Sequence, residues 1–313
     1  MVKRSPVRRF FGYPLVTILL GFVVFAALFS LLFSVLYQLV VVAVGASLSD
    51  DLRPESPRSA FALGLGQFLA GVILAALALW VYRRFFLGFC EGRRDVPELA
   101  LTATARRWLL GGTLLALLVV AVSVIAGGPL TWAPSLSVAG GLLGALGMAT
   151  FAGVVEELFA RGLLFRISQD RLGSLIALAI TGTVFGLQHA DNPGATALTT
   201  AAVALGGGLM LASVYMVSGT LWAPIAVHFG WNFGQSVLGL PVSGNEQTGA
   251  AVAQLRSSEE LTGGAFGIEA SWVSLLAWGA VFVMCVILAI RTGKWRSWST
   301  ARGAPTEAVT PTS

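Results

Sequence analysis

Charge is what this sequence lacks most. Aspartate, glutamate, lysine and arginine together make up 11% of its 313 residues, against 56% hydrophobic. A soluble domain carries about 25% charged residues. Twenty basic and 15 acidic side chains cannot solvate the surface of a water-soluble protein this large. A soluble enzyme, a nucleic-acid-binding protein and a disordered chain are therefore excluded. The isoelectric point near 9.8 does not reopen the nucleic-acid reading, because the basic residues sit between apolar runs, where they act as topology signals. Cysteine is also sparse. Cys90 lies in a basic stretch and Cys285 in an apolar run, which gives neither a disulfide framework nor a thiolate metal site. Histidine occurs twice, at His189 and His228.

What is present is apolar length. Runs of about 18 or more apolar residues read as membrane-spanning helices. Eight are expected: Tyr13–Ala46, Phe61–Tyr82, Trp108–Ala126, Ser135–Phe165, Ser174–Ala190, Ala195–Val217, Leu221–Leu240 and Ser271–Ile290. Ser218-Gly219-Thr220 is a weak boundary between the sixth and seventh. Alternation of the loops places every basic residue except Arg53, Arg58 and Arg256 on one side, the side that also carries both termini. The acids Asp50, Asp51, Glu55, Asp191, Glu246, Glu259, Glu260 and Glu269 fall on the other. The positive-inside rule makes the basic side cytoplasmic. The expected fold is all-α: a polytopic membrane protein of eight transmembrane helices with both termini cytoplasmic. The first apolar run is too long for a signal peptide, and the polar, Thr- and Pro-rich tail from Ala301 reads as disordered. Three segments are expected: 1–134 with the first three helices, 135–240 as the core, and 241–313 with an outer loop, the eighth helix and the tail.

Ionisable groups inside a span are costly and mark function by default. The fourth span holds Glu156 and Glu157, followed by Arg161. Glu157 and Arg161 are i and i+4, so they share a helix face and can pair. Glu156 points about 100° away and lacks a sequence-local partner. Desolvation would raise its pKa toward neutrality, which suits a general base. An interfacial Glu–Arg pair at a helix end is the plainer explanation of the same residues. The fifth span holds Phe185 and His189 one turn apart on one face, where a hydrogen-bonded core histidine is the plainer alternative. The seventh holds His228 and Asn232, also i and i+4, a donor pair suited to an oxyanion or to interhelical hydrogen bonding. Helical rise puts Glu156, His189 and His228 roughly 21, 22 and 15 Å from the inner side, so all three can meet near mid-membrane. Gly206-Gly207-Gly208 in the sixth span reads as a helix break or as close helix packing, and packing is the better fit because small residues are common at such interfaces.

The three motifs, Glu156-Glu157-x-x-x-Arg161, Phe185-x-x-x-His189 and His228-x-x-x-Asn232, occur in that order on separate spans. This pattern resembles the CPBP family of intramembrane proteases, which includes the type II CAAX prenyl endopeptidases and the Abi proteins. The resemblance covers roughly residues 135–240. It implies an intramembrane endopeptidase acting on a membrane-associated peptide or protein, prenylated or CAAX-like in some members. Glu156 would activate water with His189 holding it, and His228 and Asn232 would stabilise the oxyanion. Glu157 and Arg161 would hold the geometry, and Phe185 would pack beside them. The family label of metalloprotease implies Zn2+, with Glu156, His189 and His228 as its ligands. Taking His228 as a ligand removes it from the oxyanion role, and a metal-free glutamate mechanism needs no ligand at all. The expected partners are the lipid bilayer and a peptide substrate, with no nucleic acid, and the expected location is a bacterial plasma membrane. Two other classes compete: a non-catalytic scaffold or immunity-type protein, and a proton or metal transporter. No inverted repeat supports the transporter. His-Glu-x-x-His, Gly-x-Gly-Asp and Gly-x-Ser-Gly, which would mark other intramembrane proteases, are absent.

Overall fold

The computed structural model describes residues 5–47 and 56–299. The expected disordered tail from Ala301 lies outside the described residues, as do Lys3, Arg4, Arg53 and Arg302. A short helix, Pro6–Phe11, precedes the bundle. The principal helices are α1 (Pro14–Ala43), α2 (Pro57–Glu91), α3 (Ala103–Ala126), α4 (Val138–Leu172), α5 (Ser174–Leu187), α6 (Ala197–Ser218), α7 (Trp222–Val237) and α8 (Trp272–Arg291). Hydroxyl caps start several of them. Ser56, Thr102, Ser137 and Ser271 accept from the backbone N–H three residues on, at 3.0–3.2 Å, satisfying a donor that the helix itself cannot.

Six of these helices, α1, α2, α3, α4, α6 and α8, are long and apolar enough to cross a membrane. The expected fifth and seventh spans are shorter than the sequence suggests. α5 has 14 residues and α7 has 16, or about 21 and 24 Å, against a hydrocarbon core of about 30 Å. α5 ends at Leu187, where the backbone tightens into turns (His189 N–H to the Gly186 carbonyl, Ala190 N–H to that of Leu187), and Asn192-Pro193-Gly194 then redirects the chain, with Gly194 left-handed at φ +72. The weak boundary at Ser218–Thr220 is a real break, with Gly219 left-handed at φ +72 closing α6 as a C-terminal cap.

Glycine sets the tightest contact. α2 and α4 pack with Gly64 against Gly140 and Gly71 against Gly147. A Cβ on Gly64 would lie 1.9 Å from the Gly140 carbonyl oxygen, and one on Gly71 2.1 Å from that of Gly147. Without a hydrophobic drive between helices in lipid, such backbone approach supplies the association through dispersion. α7 fits into the groove between α3 and α4, and α5 packs on α6. α1 lies along α2.

The two ends of the bundle differ. At one, Arg8 donates to the Phe89 and Gly88 carbonyls at 3.2 and 3.0 Å. Arg93 forks onto Glu98 at 2.8 and 2.9 Å, Arg166 reaches Glu91 at 2.5 Å, and Arg296 pairs with Asp170. Arg8, Arg93, Arg166 and Arg296, four of the basic residues that the sequence assigned to one side, thus lie at one end. At the other, β1 (Leu130–Pro134) pairs antiparallel with β2 (Ala251–Leu255), Leu130 opposite Leu255 and Pro134 opposite Ala251. The 188–196 turn and the 238–270 loop fold in beside this ribbon, above the ends of α5 and α7.

Candidate active site

Glu157 and Arg161 lie on α4, where the helix widens to π-type winding over Leu158–Phe165. Both side chains are fully buried, and Arg161 Nη1 donates to Glu157 Oε1 at 2.8 Å. α6 widens in the same way over Ala204–Met210. Arg161 Nη2 donates to the carbonyls of Gly207 and Gly208 on that stretch, the second at 3.0 Å. Single-turn π segments often occur at functional sites, because they free carbonyls from the helical ladder. The glycine triplet therefore does more than pack. A Cβ on Gly208 would sit 2.6 Å from Gly182 Cα, and one on Gly207 2.3 Å from the Phe185 ring. Close approach is what lets the guanidinium reach these carbonyls.

Phe185 stands at the centre. Its ring lies under the Arg161 guanidinium at 5.0 Å, stacks on His189 at 5.0 Å and meets His228 edge-on at 6.3 Å. The side chain expected only to pack beside the site thus touches three of its members.

Both imidazoles are oriented through Nδ1. His228 Nδ1 donates to Glu157 Oε1 at 2.8 Å. His189 lies in the turn just beyond α5, and its Nδ1 is 2.8 Å from the Phe185 carbonyl. A carbonyl only accepts, so Nδ1 is the donor, and in the neutral tautomer this selects, Nε2 is the acceptor. Glu156 projects differently from Glu157. Its Oε2 is 3.9 Å from His228 Nε2, and its side chain is 37% exposed. The 100° turn from Glu157 aims it into open space.

That space is a cavity of about 320 Å³. Glu156, Phe185, His189, His228 and Asn232 line it together, so the structure brings the three motifs to one place. Phe25, Ala26 and Ser30 of α1 also line it, as do Ser243, Asn245 and Gln247 of the loop that follows α7.

Sequence reasoning missed the loop contribution. Glu269, grouped above with the outer acids, is half-buried beside the site. It accepts from Trp231 Nε1 at 3.1 Å and from Ser243 Oγ at 2.7 Å. Ser243 sits at φ +48, unusual for a residue with a Cβ. Its carbonyl accepts from Asn192 Nδ2 at 2.9 Å. One carboxylate thus ties the helix of His228 and Asn232, the outer loop, and the turn of His189. Nothing in the spacing of Glu269 marks this role. The one local hint is Trp231, whose indole N–H needs a partner when buried.

The donor types suit zinc: a carboxylate and two imidazoles whose outward nitrogens are free because their inner ones are held by a carboxylate and a carbonyl, the usual support of metal-bound histidine. Among the described residues, no three His, Cys, Asp or Glu side chains gather around one point.

Residues 138–234 match the family model described as type II CAAX prenyl endopeptidase Rce1-like, a segment that contains all three motifs. No curated protein and no solved structure matches the chain.

Proposed function

We propose, from the match of residues 138–234 to the type II CAAX prenyl endopeptidase Rce1-like model, that the protein is an intramembrane endopeptidase in which Glu156 is the general base. The observation that carries this is the shared cavity: a partly exposed carboxylate, two oriented imidazoles and a carboxamide face one space inside an apolar bundle. Glu156 takes a proton from water as the oxygen attacks a peptide carbonyl carbon. His189 accepts a hydrogen bond from that water at Nε2. Asn232 Nδ2, and His228 when protonated at Nε2, donate to the oxyanion. Preorganised donors of this kind cost no reorganisation in the transition state. Glu156 then passes its proton to the leaving amine, and the C–N bond breaks. Glu157 and Arg161 fix His228 and touch no reacting atom.

The second reading is a zinc ion held by Glu156 and by Nε2 of His189 and His228, which would take the place of the two Nε2 roles above and leave Asn232 as the oxyanion donor. When bound, it would polarise the carbonyl and acidify water.

The test is cleavage of an internally quenched peptide set by purified protein. Glu156→Gln is expected to lower kcat on the order of 100- to 10,000-fold, with the fold retained by thermal melting. Retained cleavage rejects Glu156 as the base, and a wild type inert to every peptide, with or without zinc, rejects the endopeptidase reading. Elemental mass spectrometry is expected to find about one zinc per chain, with less in His189→Ala, since tetrahedral sites need three or more protein ligands. Zinc-free protein that cleaves at full rate leaves glutamate to act alone.

A further inference from the structure

The cavity is lined on one side of its catalytic floor. On α4 the lining runs from Glu156 through Ala152 to Met148. On α7 it runs from His228 through Asn232 to Ser236, and past α5 from Phe185 through His189 to Asn192. Each direction leads away from the basic end. Met148 and Ser236 are each eight residues from the floor, so the shaft is about 12 Å deep. Toward the basic end the space is filled: Leu158, Arg161, Leu163 and Phe165 are fully buried, and Phe159, one turn past Glu156, closes the floor. α5 and α7 end short of a full crossing on the open side, which is why loops rather than helices form the mouth.

The mouth has a defined chemistry. Gln188, Asn192, Asn245 and Gln247 set four carboxamides around it. Asp191 and Glu246 are exposed beside them, and the cavity lining includes no lysine or arginine. Asn192, Asn245 and Gln247 donate to loop carbonyls, which holds the mouth in shape, and the remaining carboxamide positions can donate to and accept from the alternating N–H and C=O of an extended chain. Among the described residues, no side chain lining the cavity carries a cation that could bind a terminal carboxylate.

Basic residues mark the cytoplasmic end of a membrane protein. We infer that the site takes its substrate from the extracytoplasmic face: an internal stretch of extended peptide, neutral or basic around the cleaved bond, and not a cytoplasmic C-terminal tail. This rests on the endopeptidase reading above.

The experiment uses sealed membrane vesicles carrying the full chain in right-side-out or inside-out orientation. The probe is a membrane-impermeant, internally quenched set of basic peptides with amidated C-termini. Right-side-out vesicles are expected to cleave at least about tenfold faster, since charged peptides do not cross the hydrocarbon core, and detergent is expected to abolish the difference. Equal rates in both sealed forms, or faster cleavage inside-out, overturn the inference. If detergent-solubilised wild type cleaves nothing, the endopeptidase reading falls, and the direction of the opening is read by labelling. Cys90 and Cys285 are buried. Asn245→Cys at the exposed mouth is therefore expected to react with an impermeant maleimide in right-side-out vesicles, and Arg106→Cys at the basic end only after permeabilisation. The reverse pattern overturns the inference.

Discussion

A guanidinium without solvent contact is tolerable only when its faces are occupied. Arg161 has Glu157, two glycine carbonyls and the Phe185 ring. Removing one partner of a buried pair leaves an uncompensated charge and costs about 3–5 kcal/mol. Arg161→Ala is therefore expected to lower stability by that order, because it leaves the Glu157 carboxylate with His228 as its one remaining polar contact among the described residues. The same change loosens Glu157 and, through it, the orientation of His228. Thermal or denaturant unfolding in detergent checks the first effect, and kcat on the peptide set checks the second. A variant as stable and active as wild type would show that the pair is dispensable. The pairing of Glu157 with Arg161 was legible in the sequence, because four residues of helix return a side chain to the same face. The third member, His228, lies 71 residues away in sequence, and no spacing rule reaches that far.

At the scale of elements, the site depends on helices that touch through backbone. α4 carries both glutamates and is pressed onto α2 through Gly71 and Gly147. A Cβ at residue 71 meets backbone, which cannot rotate away. Gly71→Val is expected to destabilise by about 1–3 kcal/mol or more through overpacking, lowering the thermal midpoint and, by shifting α4, cleavage as well. Gly111, where a Cβ would meet nothing within 4 Å, is the control: Gly111→Ala is expected to leave the midpoint in place. An unchanged midpoint in the residue 71 variant would contradict the packing. The π-type widening in α4 and α6 belongs to this scale too. The triplet at 206–208 signalled small side chains, and it correctly suggested close packing. That two freed carbonyls would hold an arginine depends on how α4 and α6 face one another, which composition does not encode.

For the whole molecule, the cavity needs more than the segment that matches the family model. α1 supplies Phe25 and Ser30 to its wall, and the loop beyond residue 240 supplies Ser243, Asn245 and Gln247 to its mouth. Charge placement along the chain assigned the basic residues to one side, and the contacts of Arg8, Arg93, Arg166 and Arg296 bring them to one end. The vesicle experiment reads whether that end faces the cytoplasm and the mouth faces away from it.

The sequence by itself determined the solvent and the inventory. Apolar length requires a membrane, since so few charges cannot face water, and the scarcity of polar groups inside the helices singles out Glu156, Glu157, Arg161, His189, His228 and Asn232. Only the tertiary structure decided which carboxylate is buried against His228 and which opens to the cavity, that α5 and α7 stop short, and that Glu269 ties the loop to both histidine elements. Those outcomes arise from contacts between residues far apart in the chain. Periodicity fixes which residues share a helix face, but what that face meets depends on the packing of the other helices and loops.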